Sequence, residues 1–273
     1  MKGSFLPLLL AYFATTGLAC QQPTRHYISM GCTPSEQKDE EGCPLSYDCP
    51  NLKNRQNDKC YLYGKTYSFG DSVPMEETSS SCIAGLGCIP DGLNSRFIYA
   101  HIDCAEFFRP YKPDCVRQYA PNKCCSSGEV CGEVRDKLAK CTVGGHTYYE
   151  GERMPVPDNP CKSCICSGSY DKHKFNCKEH CYETKCTFEI YNKDKLFQGA
   201  VPVYKDGVCC PWSWRLPADT DKLVKGANSN PELQCKYGKL TLNVGDSLEP
   251  FSDTDGTVKC SCAIPPLVHC KLG

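Results

Sequence analysis

Two stretches decide the fold: Cys60-Tyr-Leu-Tyr-Gly64-Lys-Thr-Tyr67-Ser-Phe-Gly70-Asp71-Ser-Val-Pro74 and Cys141-Thr-Val-Gly-Gly145-His-Thr-Tyr148-Tyr-Glu-Gly151-Glu152-Arg-Met-Pro155. Counted from the first cysteine, both place Gly at +4, Tyr at +7, Gly at +10, an acid at +11 and Pro at +14. A third copy begins at Cys235 and keeps Gly245 at +10 and Asp246 at +11. It carries Gly238 one place early and Leu242 in place of Tyr. Ungapped self-similarity of this kind marks a repeat architecture. Each copy reads as a small hairpin. Gly144-Gly145 tolerates the positive φ of a tight turn, and the Thr and Tyr residues that follow favour strand. The second glycine, before the acid, reads as the next turn.

More cysteines follow each copy. Cys82, Cys88, Cys104, Cys115, the pair Cys124-Cys125 and Cys131 follow Cys60. Cys161, Cys164, Cys166, Cys177, Cys181, Cys186 and the pair Cys209-Cys210 follow Cys141. Only Cys260, Cys262 and Cys270 follow Cys235, and a separate block, Cys20, Cys32, Cys43 and Cys49, precedes the first copy. The division expected is a leader (1–19), an N-terminal cysteine-rich segment (20–59), two modules (60–131 and 141–217) and a truncated third (235–273). Residues 132–140 and the polar stretch 218–234 read as connectors, the second a mobile one.

The leader reading rests on Met1-Lys2-Gly3, the apolar run Phe5 to Phe13, and the small residues that end at Ala19. That run is too short to span a bilayer, which takes roughly 20 apolar residues. Cleavage after Ala19 would keep all 25 cysteines in the mature chain; cleavage after Cys20 would leave an even number. In a secreted chain such a density reads as a disulfide framework rather than zinc sites. The 20 Pro and 22 Gly, with no amphipathic helical stretch of convincing length, argue against one large apolar core. Bridges substitute: one that closes a loop of about 20 residues is worth roughly 3 kcal/mol in the chain-entropy account. The fold class expected is therefore small, disulfide-rich and mostly β, in tandem modules of short antiparallel ribbons with little helix.

These residues resemble the von Willebrand factor type C module. Cys161-x-x-Cys164-x-Cys166 matches its central cluster, and Cys209-Cys210 matches its Cys-Cys-x-x-Cys ending except that Ser213 stands at the last position. The likeness is closest over 141–217, looser over 60–131 and 235–273, where it approaches the arthropod single-domain relatives, and does not extend to 20–59. It implies protein binding: capture of growth factors of the bone morphogenetic protein class in the chordin and crossveinless-like members, immune or stress signalling in the arthropod ones, and matrix or mucin-like assembly in others. Ser213 leaves the second module with nine cysteines. One thiol is then free, pairs outside its module, or joins two chains into a multimer.

The candidate contact residues are Trp212 and Trp214, the only tryptophans, together with Tyr148, Tyr149 and Ile165. Tyr148 and Tyr149 adjoin on a strand, so one should pack and the other face solvent. Cys161-x-x-Cys164 lacks the βαβ setting of a redox pair and reads as structural. The basic run Lys172-His173-Lys174, with Lys178 and His180, reads as a solvated loop rather than a polyanion site. No histidine pair at metalloprotease spacing, no nucleophile elbow and no EF-hand loop appears. The chain is thus expected to have no catalytic site, metal or cofactor. A net charge of −1 argues against nucleic acid as a partner. The partner expected is an extracellular protein, with two rivals: a cross-linked matrix protein, and a protease inhibitor presenting Arg153 on the loop 153–160.

Overall fold

The structure is a computed structural model that describes residue 20 and residues 22–78, 82–110, 112–121, 123–157, 159–169, 180–253 and 255–273. The leader 1–19, Cys177 and the basic run 172–178 lie outside the described residues. The fold is made of short antiparallel strands and hairpins with little helix, stapled by twelve disulfides.

The repeat is real at atomic detail. Its hairpins pair Cys60–Leu62 with Lys65–Tyr67, Lys140–Val143 with His146–Tyr149, and Asn230–Tyr237 with Leu240–Val244. In each the first cysteine sits opposite position +7: Cys60 with Tyr67, Cys141 with Tyr148, Cys235 with Leu242. The turn accounts for the early glycine of the third copy. Tyr63-Gly64 and Gly144-Gly145 both hold positive φ at the two central positions, as a type I′ turn requires. In the third hairpin the central residues are Gly238 and Lys239, with positive φ only at Gly238. That is the demand of a II′ turn, so the glycine moves to the first central position.

The second glycine then ties each hairpin to the cysteine that closes it. Gly70, Gly151 and Gly245 donate their N–H to the carbonyls of Cys88, Cys166 and Cys262 at 2.8–2.9 Å. Those same cysteines donate back to the carbonyls of Asp71, Glu152 and Asp246 at 2.8–3.0 Å. The bonds Cys60–Cys88, Cys141–Cys166 and Cys235–Cys262 complete the three units.

The first two units share more. Each adjacent cysteine pair accepts two bridges: Cys82–Cys124 and Cys104–Cys125 in the first, Cys161–Cys209 and Cys186–Cys210 in the second. The first of these spans 4.7 Å between Cα atoms in both units. Cys115–Cys131 is peculiar to the first unit. Cys164–Cys181 in the second has its counterpart in Cys260–Cys270 of the third. Cys161 and Cys164 are therefore bonded to different partners and form no redox pair. The N-terminal block holds Cys20–Cys43 and Cys32–Cys49.

The picture of separate beads on a string changes in one respect. The largest apolar core joins Tyr27, Met30 and Tyr47 of the N-terminal block to Phe188, Val201 and Trp214 of the second unit and to Tyr237, Leu242, Leu248 and Val268 of the third. One sheet runs through it in the order Ser213–Arg215, Val201–Lys205, His269–Leu272, Gly256–Ser261, Ser247–Leu248, Leu223–Val224. The strands Val201–Lys205 and His269–Leu272 are parallel neighbours. A strand from the second unit thus lies at the edge of the third unit's part of the sheet. Nor is 218–234 a loose connector. Leu223–Val224 is a strand of that sheet, and Asp221 forms a buried ion pair with Arg215. The pattern hid this because the apolar contacts come from three segments far apart in the chain, each too poor in apolar residues to signal a core alone.

A candidate binding groove

The N-terminal helix Arg25–Ser29 is five residues long and amphipathic. Tyr27 and Ser29 are buried, which turns Ile28 outward, 53% exposed. The Tyr27 hydroxyl donates to the Ile264 carbonyl at 2.7 Å and accepts from the Leu267 N–H at 2.8 Å, which fixes the helix against the third unit. Its outer face forms one wall of an open groove. The other walls come from the first hairpin (Tyr63, Lys65), the loop Met75 to Thr78, Ile102, the adjacent cysteines Cys124 and Cys125, and the strand Cys181–Glu183.

Apolar side chains stand exposed within it: Ile28, Met75 at 65% and Ile102 at 36%. Charged side chains ring them in pairs. Arg25 meets Glu183 at 3.2 Å and Lys65 meets Glu77 at 2.6 Å. The Lys185 ammonium lies 5.5 Å from the centre of the Tyr63 ring. The hydrogen bond from Lys65 holds the Glu77 carboxyl below its ordinary range, and burial, helped by Glu77, pushes the Tyr67 hydroxyl upward. A polar rim thus encloses an apolar floor, the anatomy of a protein contact surface. Among the described residues that line the groove there is no histidine to act as a general base.

None of the five residues singled out from the sequence lines this groove. Trp214 and Ile165 are buried, which corrects their reading as contact residues. The Trp214 ring packs 4.7 Å from Phe188, because its place on the strand Ser213–Arg215 faces the core. Trp212 lies two residues earlier and stays 53% exposed, with the Lys205 ammonium 4.9 Å from its ring. Tyr148 and Tyr149 are both half-buried, not one in and one out. Tyr148 packs on a small core of Cys141, Val143 and Met154, while Arg135 and Lys140 cover the Tyr149 ring. The inhibitor reading loses its specificity residue. Arg153 lies in a strand, donates to the carbonyls of Lys123 and Cys124 at 2.6 and 2.9 Å, and stacks on Tyr119. Nothing in the sequence set the groove residues Ile28, Met75 and Ile102 apart from the apolar residues beside them, such as Tyr27, Val73 and Tyr99.

Two sulfur clusters, Cys104 with Cys124 and Cys125, and Cys186 with Cys209 and Cys210, have the spacing of metal ligands. Each is a pair of disulfides meeting at adjacent cysteines, so the sulfurs are already bonded and offer no thiolate.

No family model matches the chain, and no solved structure matches it. Among curated proteins, the chain is similar to mucin-5B of Gallus gallus, 26% identical over 172 residues. The match covers 55% of this chain and spans 7% of that mucin's length. Dense disulfide bonding is the pattern of chains that fold in an oxidising, extracellular setting.

Proposed function

We propose that the chain is a secreted, type C-like binding protein that captures a secreted signalling protein, a growth factor of the bone morphogenetic class, in the groove beside the N-terminal helix. The observation that carries this reading is the groove itself. Three separately stapled segments build it, and Ile28, Met75 and Ile102 are held exposed between ion pairs. Disulfide bracing lowers the ordering cost of binding, and exposed aliphatic side chains within a charged rim suit a protein partner. The resemblance of residues 141–217 to type C modules supports the choice of ligand class. The test is surface plasmon resonance of the secreted chain against a panel of such growth factors at physiological salt. At least one should bind with a Kd below about 1 μM, and Met75→Asp or Ile102→Asp should weaken it at least tenfold. A blank panel overturns the reading.

A second reading, a structural component of a secreted layer, is favoured by the likeness to mucin-5B. It requires chains linked to one another. Electrophoresis without reductant should then show a dimer, linked through the one cysteine outside the twelve bridges, that collapses with reductant and is absent in Cys177→Ser.

A further inference from the structure

No disulfide among the described residues crosses the joint between the N-terminal block and the third unit. Cys20–Cys43 and Cys32–Cys49 both close within the N-terminal block, and Cys235–Cys262 and Cys260–Cys270 both close within the third unit. These two parts of the chain meet in the main core with no covalent bridge between them. The centre of the joint holds two buried histidines, His26 on the N-terminal helix and His269 on the strand His269–Leu272.

Each ring has one nitrogen in a hydrogen bond and one buried without a partner. The His26 backbone N–H donates to the Tyr204 hydroxyl at 3.0 Å, and the same hydroxyl is hydrogen-bonded to His26 Nδ1 at 2.8 Å. His26 Nε2 is buried with no partner. His269 Nε2 faces Gln22 Oε1 at 3.3 Å, an atom that only accepts, so His269 carries its proton there. Its Nδ1 is buried without a partner. In a doubly protonated ring both nitrogens carry a proton, so the charged form buries an unsatisfied N–H at His26 Nε2 and at His269 Nδ1. Both rings are therefore neutral as packed.

The surroundings offer no compensation. From the N-terminal helix the neighbours are Arg25 and Tyr27, from the strand Val201–Lys205 it is Tyr204, and from the C-terminal strand it is Lys271. Glu183, from the strand Cys181–Glu183, is engaged by Arg25. Among the described residues no carboxylate acts on either ring. Burial, reinforced by the other histidine, keeps His26 well below its usual value, and burial with Lys271 brings His269 down to about 4.

We propose that the N-terminal block is an acid-released clasp: protonation of His26 and His269 detaches residues 22–49 from the third unit and removes the wall that the helix Arg25–Ser29 lends to the groove. The proposal stands whatever the groove binds. The sign follows from linkage. A histidine depressed in the docked state favours docking fully above its free value near 6.5 and loses that contribution as the pH falls toward 4. At pH 5, His269 alone should raise the opening equilibrium about 30-fold, and His26 acts in the same direction.

The test is hydrogen exchange of the full secreted chain between pH 7.5 and pH 5, corrected for the intrinsic pH dependence of exchange. Peptides that span 22–31 and 264–272 should exchange at least tenfold faster at pH 5, while the ribbon 83–101 stays protected. The His26→Gln/His269→Gln variant should keep its protection at pH 5. Equal loss in wild type and variant, or full protection of the wild type at pH 4.5, overturns the clasp. Should the variant fail to fold, a titration of the wild-type histidine ring protons by NMR decides. Both rings should take up protons in the same pH window in which protection is lost. Titration with the block still protected sinks the proposal.

Discussion

The acid that follows the second glycine of each repeat has one physical task, performed three times. The carboxylates of Asp71, Glu152 and Asp246 accept from the backbone N–H of Ser68, Tyr149 and Asn243 at 2.7–2.9 Å. The acid's own N–H returns to the carbonyl of the same residue at 2.9–3.1 Å, which closes a tight turn from both sides. Asp246 differs because it is fully buried and also accepts from Gly226 N–H and Lys225, each at 3.0 Å. Burial works to raise its carboxyl, but the Gly226 N–H, Lys225 and the Asn243 N–H outweigh it and hold it below the ordinary range. Asp246→Ala should therefore cost about 2–3 kcal/mol, the scale of a buried hydrogen bond to a charged group. Asp71→Ala, at an exposed site, should cost clearly less; a pair of chemical denaturation curves makes the comparison. The turn was legible from the Gly-acid pair alone. The burial of its third copy was not, because it depends on 225–226 folding back over the turn, where a Cβ on Gly226 would lie 2.1 Å from the Gly245 carbonyl oxygen. The two tryptophans make a second contrast. Trp214→Ala should destabilise by about 3–5 kcal/mol, as a large side chain lost from a core does. Trp212→Ala should leave the melting temperature nearly unchanged, and equal effects would mean that the packing against Phe188 is wrong.

At the scale of elements, the hairpins were readable and their docking was not. Turn glycines, the strand-favouring Thr and Tyr residues and cysteine spacing placed all three ribbons, and even the displaced Gly238 has its reason in turn type. What sequence patterning lacked was any sign that the helices Phe188–Tyr191 and Lys193–Phe197 lock the second unit to the end of the N-terminal segment and to the first unit. Glu189 forms a buried ion pair with Arg55 and accepts the Tyr63 N–H at 3.0 Å. Lys193, one helix on, donates to the carbonyls of Asn57 and Ser95 at 2.7 and 2.5 Å. Single charged residues in short helices look like solvated ones until their partners, more than 90 residues away in the chain, are known. Breaking such a pair strands a buried charge, at a cost of about 3–5 kcal/mol. Glu189→Gln should lower the denaturation midpoint accordingly, while Glu249→Gln, from the exposed pair with Lys222, should be near neutral. A mild Glu189→Gln would show the lock to be dispensable.

The whole molecule is held by two kinds of force that divide the work. Bridges close each unit internally, and apolar burial with a few buried polar contacts joins the units where no bridge crosses. The sequence made the first visible because cysteines announce themselves. The second stayed hidden because Tyr27, Val201 and Val268 come together only in the folded chain. The division also assigns the odd cysteine. Of the 25 cysteines, the 24 described ones pair entirely among themselves, which leaves Cys177 without a cysteine partner in its own chain. Alkylation without reduction, followed by intact mass, should then find a single adduct per monomer, or none in a disulfide-linked dimer of twice the mass. Cys177→Ser should remove the adduct from the monomer and abolish the dimer, with the melting temperature unchanged because no intrachain bridge is lost. Two or more adducts on the wild-type chain would mean that the pairing scheme is wrong. The bridge equivalences between the units would fall with it, and so would the argument that the N-terminal block is free of covalent ties.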